Sequence, residues 1–209
     1  MILDKIQRFR HSRGYGVHSP FAFNFITNVV YEKHWYYAFT DIEFLLLREG
    51  IDLLDFSFHH LSYRLIRYLA PRSILEIGFN SVANTLFVCH PYKSIRCYSY
   101  GKDESNVTLV TKLLDEIDRE AIFVNNIDRE MLFDSIFVNL EEMESIDITK
   151  LYEISSNTSF WVLKGINSKE GKRLWKSIVS DDRVSISFDK KNVGIAVLNN
   201  SYKKQNYLI

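Results

Sequence analysis

Residues 73–85, which read SILEIGFNSVANT, constrain the fold of this 209-residue chain more than any other stretch. An apolar run ends in Glu76-Ile77-Gly78, a polar turn follows, and a helix-compatible segment begins at Val82. A buried strand, a tight turn and a helix in this order are typical of the opening βα unit of a nucleotide-binding α/β sheet. We therefore expect the following segments to add strands beside this first one.

From residue 73 onward, strand-like and helix-like segments alternate, which predicts a mainly parallel sheet with helices on both faces. Seven strands are expected, at residues 73–78, 94–100, 121–125, 135–140, 159–164, 184–188 and 194–198. Helices between them are expected at residues 82–90, 104–117, 146–156 and 169–179. The polar residues 189–192 are too few for a crossover helix, so the last two strands should form an antiparallel hairpin.

The first 72 residues show only helix-like patterns, and no linker composition separates them from the rest. We interpret residues 1–72 as a helical N-terminal extension packed on a Rossmann-like domain of residues 73–209. Ser19-Pro20 is predicted to be the N-cap and first residue of one helix. A capping-box pattern places the start of another helix at Thr40, and Ser57 is predicted to cap a third.

The composition fits a globular protein with a large aromatic core, since the chain contains 15 Phe and 12 Tyr. Lys+Arg and Asp+Glu both number 26, and this balance argues against nonspecific binding to nucleic acid or to an anionic membrane. No apolar run approaches the roughly 20 residues of a membrane span, and the N-terminus lacks the pattern of a secretory signal. Cys89 and Cys97 match no metal or redox spacing, so we expect reduced core thiols in a cytoplasmic protein.

Four places in the chain resemble a single protein family. They are GYGVHSPFAF at residues 14–23, ILEIG at 74–78, LFDSIFVNLEE at 132–142 and VGIAVLNNSYKKQNYLI at 193–209. In this order, and with the alternating segments, they resemble the class I S-adenosylmethionine-dependent methyltransferases, most of all a bacterial branch of small O-methyltransferase-like proteins. The resemblance implies an α/β, Rossmann-like seven-stranded sheet with an antiparallel last strand. It also implies S-adenosylmethionine as the cofactor and a small molecule as the ligand.

The resemblance further implies where the cofactor would bind. The expected cofactor-binding residues are Glu76, Gly78, Phe79, Asn80, Tyr100, Gly101, Asn139 and Leu140. His18 is the best-placed candidate for a catalytic base, although Ser19-Pro20 already explains this segment as a helix start at which His18 packs or bonds to backbone. Glu76 either orders the turn below the cofactor or caps nearby backbone amides as a structural carboxylate.

Several of these positions depart from the family's pattern. Asn80 and Val82 stand where the family has small residues, and the side chain of Val82 should point either to the adenosine or into the packed sheet. The second strand ends near Tyr100 instead of the acidic residue that binds the ribose. The fourth strand ends in Asn139 and the fifth in Lys164, where the family commonly has carboxylates. Because divalent cations need carboxylate oxygens, we expect no metal site.

Two functions stay open at this stage. One is methyl transfer from S-adenosylmethionine to a small oxygen nucleophile, achieved by holding donor and acceptor in line. The other is a non-catalytic protein of the same fold, which acts as a scaffold or as a sensor of an anionic metabolite, because Lys102 and Lys164 bring positive charge to the crevice. An exposed edge strand and many aromatic residues are consistent with a homodimer. Neither a nucleic acid nor a membrane is expected as a partner.

Overall fold

The computed structural model describes residues 2–52, 56–80, 82–128, 130–143 and 146–209. Its strands within these ranges are β1 (Ser73–Ile77), β2 (Arg96–Tyr100), β3 (Ile122–Val124), β4 (Phe133–Asn139), β5 (Ser155–Lys164), β6 (Ile186–Lys190), β7 (Val193–Val197) and β8 (Gln205–Leu208). Its α-helices are α1 (Ile2–His11), α2 (Pro20–Phe25), α3 (Tyr37–Arg48), α4 (Phe56–Leu69), α5 (Ala83–Cys89), α6 (Glu104–Glu116), α7 (Ile148–Glu153) and α8 (Lys169–Ser180). A π-helical turn, Ile26–Val30, continues α2, and a 3₁₀ turn, Leu140–Glu142, follows β4.

All the strands belong to one sheet with the order β3-β2-β1-β4-β5-β7-β6-β8. Neighbouring strands are parallel except around β7, which is antiparallel to both β5 and β6. The Rossmann-like fold, the mainly parallel sheet and the hairpin of β6 and β7 are therefore confirmed.

The number of strands differs from the prediction, because the described residues form eight strands and not seven. The antiparallel strand β7 is followed by β8, which pairs parallel to β6 through Ile186 with Gln205 and Phe188 with Tyr207. The expectation of an antiparallel last strand is thus corrected. The segment QNYL is too short and too polar to reveal a strand by its pattern, and its pairing with β6 supplies the missing partners.

Helices cover the two faces of the sheet in two separate groups. Apolar residues of α5 and α6 share one core with α2, α3 and α4, whereas apolar residues of α7 and α8 share the other. The alternation of β1 fits this arrangement, since Ile74 belongs to the first core and Leu75 and Ile77 belong to the second.

The N-terminal helices pack on the sheet through aromatic side chains. The ring of Phe25 in α2 lies 4.8 Å from that of Phe188 in β6 and 6.1 Å from that of Phe160 in β5, measured between centroids. The helix α4 lies against α5, which itself covers the sheet. The division of the chain into an extension and a domain at residue 72 stays a prediction.

Two of the predicted helix starts need correction. Ser19 is an N-cap as predicted, because its hydroxyl accepts a hydrogen bond from the backbone N–H of Ala22 at 3.3 Å. The helix α3, however, begins at Tyr37, and the hydroxyl of Thr40 inside it accepts a bond from the Trp35 indole at 3.0 Å. Ser57 likewise lies inside α4, and the residues before that helix, 53–55, lie outside the described residues.

The structure also bears on the cysteines, on membrane-spanning helices and on the connection between β3 and β4. Cys89 and Cys97 are buried free thiols. Within the described ranges, no helix combines the length and the apolar character that crossing a bilayer requires. Between β3 and β4 the described residues form only turns and irregular backbone, so that crossover carries no α-helix there.

The strand β8 is held at the sheet edge by polar side chains of α1. The guanidinium of Arg8 pairs with the carboxylate of Asp189 in β6, with Nη2 2.8 Å from Oδ1, and also donates to the backbone oxygen of Ile209 at 3.0 Å. The ring nitrogen Nδ1 of His11 lies 3.0 Å from the backbone oxygen of Leu208. The first helix of the chain thereby fixes its last strand.

Replacing Arg8 with Ala should detach this edge. Hydrogen bonds to charged groups contribute about 1.5–3 kcal/mol when partly buried, so the free energy of unfolding should fall by about 1–3 kcal/mol. Hydrogen exchange at the amides of β8 should accelerate in parallel. Arg10→Ala removes an exposed cation of the same helix and should change stability by less than about 0.5 kcal/mol. Equal effects of the two variants would contradict this role of Arg8.

Candidate functional site

The carboxyl ends of β1 and β4 form the topological switch point of the sheet. These strands are neighbours, and the helices that follow them, α5 and α7, lie on opposite faces. Doubly wound sheets bind ligands in the crevice that opens at such a point. Three turns border this crevice: the β1 turn (residues 78–80), the β2 turn (residues 101–103) and the acidic turn, which we define as residues 140–143.

Gly78 opens the β1 turn in a backbone conformation that favours glycine, with a φ of +78°. A Cβ atom at this position would lie 2.7 Å from the backbone oxygen of Asn139 and 2.7 Å from Cγ of Met143. Both the conformation and the close approach of β4 therefore require a glycine. The same contact means that the Met143 side chain takes the space directly against Gly78.

Glu76 lies below the β1 turn and has no solvent exposure. One carboxylate oxygen accepts a hydrogen bond from the Asn84 side-chain amide at 2.6 Å, and the other accepts one from the Thr85 hydroxyl at 2.7 Å. Burial raises the pKa of Glu76, and the nearby Lys102 ammonium opposes that rise. Glu76 therefore joins β1 to α5 through hydrogen bonds to side chains. As a structural carboxylate it was expected to cap backbone amides instead.

Lys102 fastens the β2 turn to the β1 turn. Its ammonium donates a hydrogen bond to the backbone oxygen of Phe79 at 2.6 Å, and the side chain is only 8% exposed. Burial lowers the pKa of Lys102, and the negative charge of Glu76 counteracts this effect. The ring of Phe79 itself is buried and stacks on Phe58. The backbone carbonyl of Phe79 in the β1 turn thus already accepts a hydrogen bond from Lys102.

Glu142 of the acidic turn occupies the amide side of the β1 turn. One of its carboxylate oxygens accepts a hydrogen bond from the backbone N–H of Asn80 at 2.9 Å, and the other accepts one from the Asn139 side-chain amide at 2.8 Å. Asn139 is buried at the end of β4, and its own side-chain oxygen accepts a bond from the N–H of Glu141 at 3.2 Å. A negative charge of the chain therefore faces the amide to which an anionic ligand group would bind.

The neighbouring carboxylate, Glu141, reaches the other side of the acidic turn. It pairs with the ammonium of Lys164 at the end of β5 at 3.0 Å, and it accepts a hydrogen bond from the Asn192 side-chain amide at 2.9 Å. Leu140 in the same turn is partly buried and packs towards the core under α7 and α8. Both acidic residues thus connect neighbouring strands across the end of the sheet.

The end of β2 presents no carboxylate to the crevice. Tyr100 is 37% exposed and lines a cleft of about 270 Å³ together with Lys150 and Glu153 of α7. Gly101 has a φ of +76°, and its N–H donates to the backbone oxygen of Val124. Asp103, which follows, is the N-cap of α6 and accepts a hydrogen bond from the N–H of Asn106 at 2.8 Å.

Neither Val82 nor His18 belongs to the three turns that border the crevice. Val82 is 3% exposed and belongs to the core that α5 shares with the N-terminal helices, which favours the packed orientation among the two alternatives. His18 is exposed and precedes α2, whose Phe25 ring packs on Phe188 in β6. In the strand order, β6 lies four positions from β1. Its role as a base stays a prediction.

The structure therefore brings most of the predicted residues to one place, together with three further side chains, of which the sequence had placed only Lys102 at the crevice. We call Lys102, Glu142 and Met143 the closing side chains. Each follows the carboxyl end of β2 or β4 within a few residues, and that position was the signal available in the sequence. Among the described residues, no group of three or more His, Cys, Asp or Glu side chains is placed to hold a metal ion.

Comparison with known proteins identifies the fold. No family model and no curated protein matches the chain. A methyltransferase from Geobacter sulfurreducens is similar with a TM-score of 0.61 and 15% identity, over 80% of this chain and 90% of that one. The O-methyltransferase TomG from Streptomyces achromogenes, solved with SAM, has a TM-score of 0.57 and 14% identity, over 80% and 92%. An O-methyltransferase from Bacillus cereus, solved with SAH, has a TM-score of 0.58 and 12% identity, over 80% and 93%. The chain therefore has the class I methyltransferase fold.

Replacing Glu76 with Gln should make stability less dependent on pH. Because the pKa of Glu76 is raised above its ordinary value of 4.5, the folded chain holds this proton to higher pH than the unfolded chain does. The contribution of Glu76 to wild-type stability is consequently lost as the pH rises from about 4.5 through the raised pKa. The free energy of unfolding of Glu76→Gln minus that of the wild type should therefore increase over this range, as measured by urea unfolding.

Glu49→Gln provides a control of the opposite sign. The pKa of Glu49 is lowered, chiefly by its hydrogen bond from Lys112, so the wild type gains stability as the pH rises through this group's titration. The difference between variant and wild type should then decrease with pH. A difference for Glu76→Gln that is flat, or that falls with pH, would show that burial does not raise the pKa of Glu76.

Proposed function

We propose that this protein is a non-catalytic member of the methyltransferase fold, which works as a scaffold and does not transfer methyl groups. One observation carries the proposal: the closing side chains take the carbonyl, the amide and the space of the β1 turn. The residues present do not fit S-adenosylmethionine in this arrangement. The N–H of Asn80 and the carbonyl of Phe79 already have partners within the chain, and β2 ends without the carboxylate that the family resemblance requires for the ribose.

Displacing Lys102 would be costly. Its ammonium is buried and compensates the fully buried Glu76, so its withdrawal would leave that carboxylate without the opposing charge. Its withdrawal would also break the hydrogen bond to Phe79, and hydrogen bonds to charged groups contribute about 1.5–3 kcal/mol. A ligand that had to displace Lys102 would therefore bind at least roughly 10-fold more weakly, since each 1.4 kcal/mol corresponds to a factor of ten.

The charges at the crevice favour a scaffold over a sensor of anions. Lys164 faces Glu141, and Lys102 lies near both Glu76 and Glu142. The two lysines are thus balanced by carboxylates of the chain itself, and an added anion would also meet the negative charge of Glu142 at Asn80. Recognition of an anionic metabolite stays a prediction that this geometry does not favour.

A second candidate function is O-methyl transfer from S-adenosylmethionine to a small molecule. Its support is the fold, since structurally similar proteins include O-methyltransferases solved with SAM or SAH. The backbone of Gly78, with its φ of +78°, is also compatible with a glycine-rich turn. This function would require the closing side chains to move, and it would require a base, for which His18 stays a prediction.

Calorimetry and thermal unfolding with S-adenosylmethionine and S-adenosylhomocysteine distinguish the two candidates. A ligand present at one hundred times its dissociation constant stabilises a protein by about 2.7 kcal/mol, which for a chain of this size raises Tm by roughly 5–10 °C. We expect no shift for the wild type at about 1 mM of either ligand. A saturable shift would contradict the non-catalytic proposal.

A variant with an opened crevice tests whether the closing side chains are the cause. Glu142→Ala combined with Met143→Ala frees the N–H of Asn80 and the space against Gly78 without leaving a buried charge unpaired. This double variant should gain measurable affinity for S-adenosylhomocysteine. Glu141→Ala removes a carboxylate from the same turn without touching the β1 turn, and it should bind no better than the wild type. If the double variant gains nothing, closure by Glu142 and Met143 does not explain the lack of binding.

A further inference from the structure

The outward face of α3 carries large apolar side chains that no described part of the chain covers. Tyr37 is 91% exposed, Phe44 is 65% exposed and Leu47 is 59% exposed. Trp35, which precedes the helix, is 57% exposed, and its indole N–H donates a hydrogen bond to the hydroxyl of Thr40 within the helix. We refer to Trp35, Tyr37, Phe44 and Leu47 as the α3 stripe.

The helix is apolar on both of its sides. Its inner face buries Phe39, Ile42 and Leu46 in the core, whereas Tyr37 and Phe44, seven residues apart, lie above one another on the outer face. A helix that is apolar around most of its circumference is typical of a buried position. The outer face of α3 therefore has the character of a surface that becomes buried in an assembly.

The size and composition of the α3 stripe match a protein interface. A large aromatic side chain buries about 150–250 Å², so at these exposures the four residues offer on the order of 500 Å² per chain. Two such stripes together reach about 1,000 Å², which is what a specific interface needs. Trp and Tyr are also the residue types that contribute most to binding at interface centres.

Charges beside the stripe indicate a second copy of the same chain. Asp41 and Arg48 are both exposed and lie along one flank of the outer face, on either side of Phe44. In an antiparallel pair of α3 helices about a two-fold axis, these flanks meet on the same side, and Asp41 of each copy lies opposite Arg48 of the other. Arg48 already binds Glu116 and Glu49, but its guanidinium carries five N–H donors and can accommodate a further carboxylate.

The outward face of α1 lacks this self-complementarity. It also exposes apolar residues, including Leu3 and Ile6, but the exposed cations of this helix, Lys5 and Arg10, outnumber its one exposed carboxylate, Asp4. Two copies of that helix would bring an excess of positive charge together, which opposes association. We therefore propose that two copies of this chain associate through antiparallel packing of their α3 stripes, an inference that does not depend on the proposed function.

Sedimentation of the full chain at concentrations from about 1 to 100 μM tests this dimer. The wild type should be a dimer in the upper part of this range, and Phe44→Glu should weaken association at least roughly 30-fold, as expected of an interface centre. Ile6→Glu places the same charge on the α1 face and should leave the dimer intact. A monomeric wild type, a dimer unaffected by Phe44→Glu, or equal losses in both variants would overturn the proposal.

Two further variants test the antiparallel geometry. Phe44→Cys lies next to its own counterpart across the two-fold axis and should form a disulfide-linked dimer on mild oxidation with copper phenanthroline, since Cys89 and Cys97 are buried. Leu3→Cys is the matched exposed control and should not. Asp41→Arg sets two cations against each other and should weaken association. No cross-link through residue 44, or an unchanged dimer in Asp41→Arg, would rule out this packing.

Discussion

The buried carboxylate of Glu76 is the constraint on which the centre of this structure depends. Its two oxygens bind the side chains of Asn84 and Thr85 and so fix the start of α5 against β1. Hydrogen bonds alone do not compensate a charge that is removed from water, and a nearby cation is the usual remedy. Lys102 supplies that cation, and its ammonium also donates a hydrogen bond to the carbonyl of Phe79. The burial of Glu76 and the contact between the β1 and β2 turns therefore depend on the same lysine.

The amide side of the β1 turn is contacted by the segment that follows β4. Asn139 and the following Glu141 and Glu142 form a tight turn, in which each carboxylate bonds to a neighbouring strand or turn. A turn so fully engaged holds its backbone in place, and it carries Met143 onto Gly78. The polar groups of the crevice thus satisfy one another, and a ligand would have to replace existing bonds before making its own.

The fold could be predicted from the sequence because its signals are local. The apolar run before Gly78 and the short polar link at residues 189–192 defined the first βα unit and the final hairpin without knowledge of the packing. The strand β8 could not be predicted, since its pairing with β6 decides its conformation. The same reason explains the site: Gly78 and Asn139 could be placed from strand ends, but the inward turn of Lys102 and Glu142 depends on contacts between segments about 20 to 60 residues apart.

The exposed apolar side chains of this chain do not lie where the fold alone would place a binding site. In an enzyme of this architecture the reactive groups are expected at the carboxyl end of the sheet, yet here that end is internally paired. One surface that still has free energy to gain from contact is the α3 stripe, because exposed aromatic area is removed from water only when something covers it. The helix α3 lies outside α5, on a different layer from the crevice. Association through α3 and closure of the crevice can consequently be tested separately, and a dimer that binds S-adenosylmethionine would refute the closed crevice while leaving the interface intact.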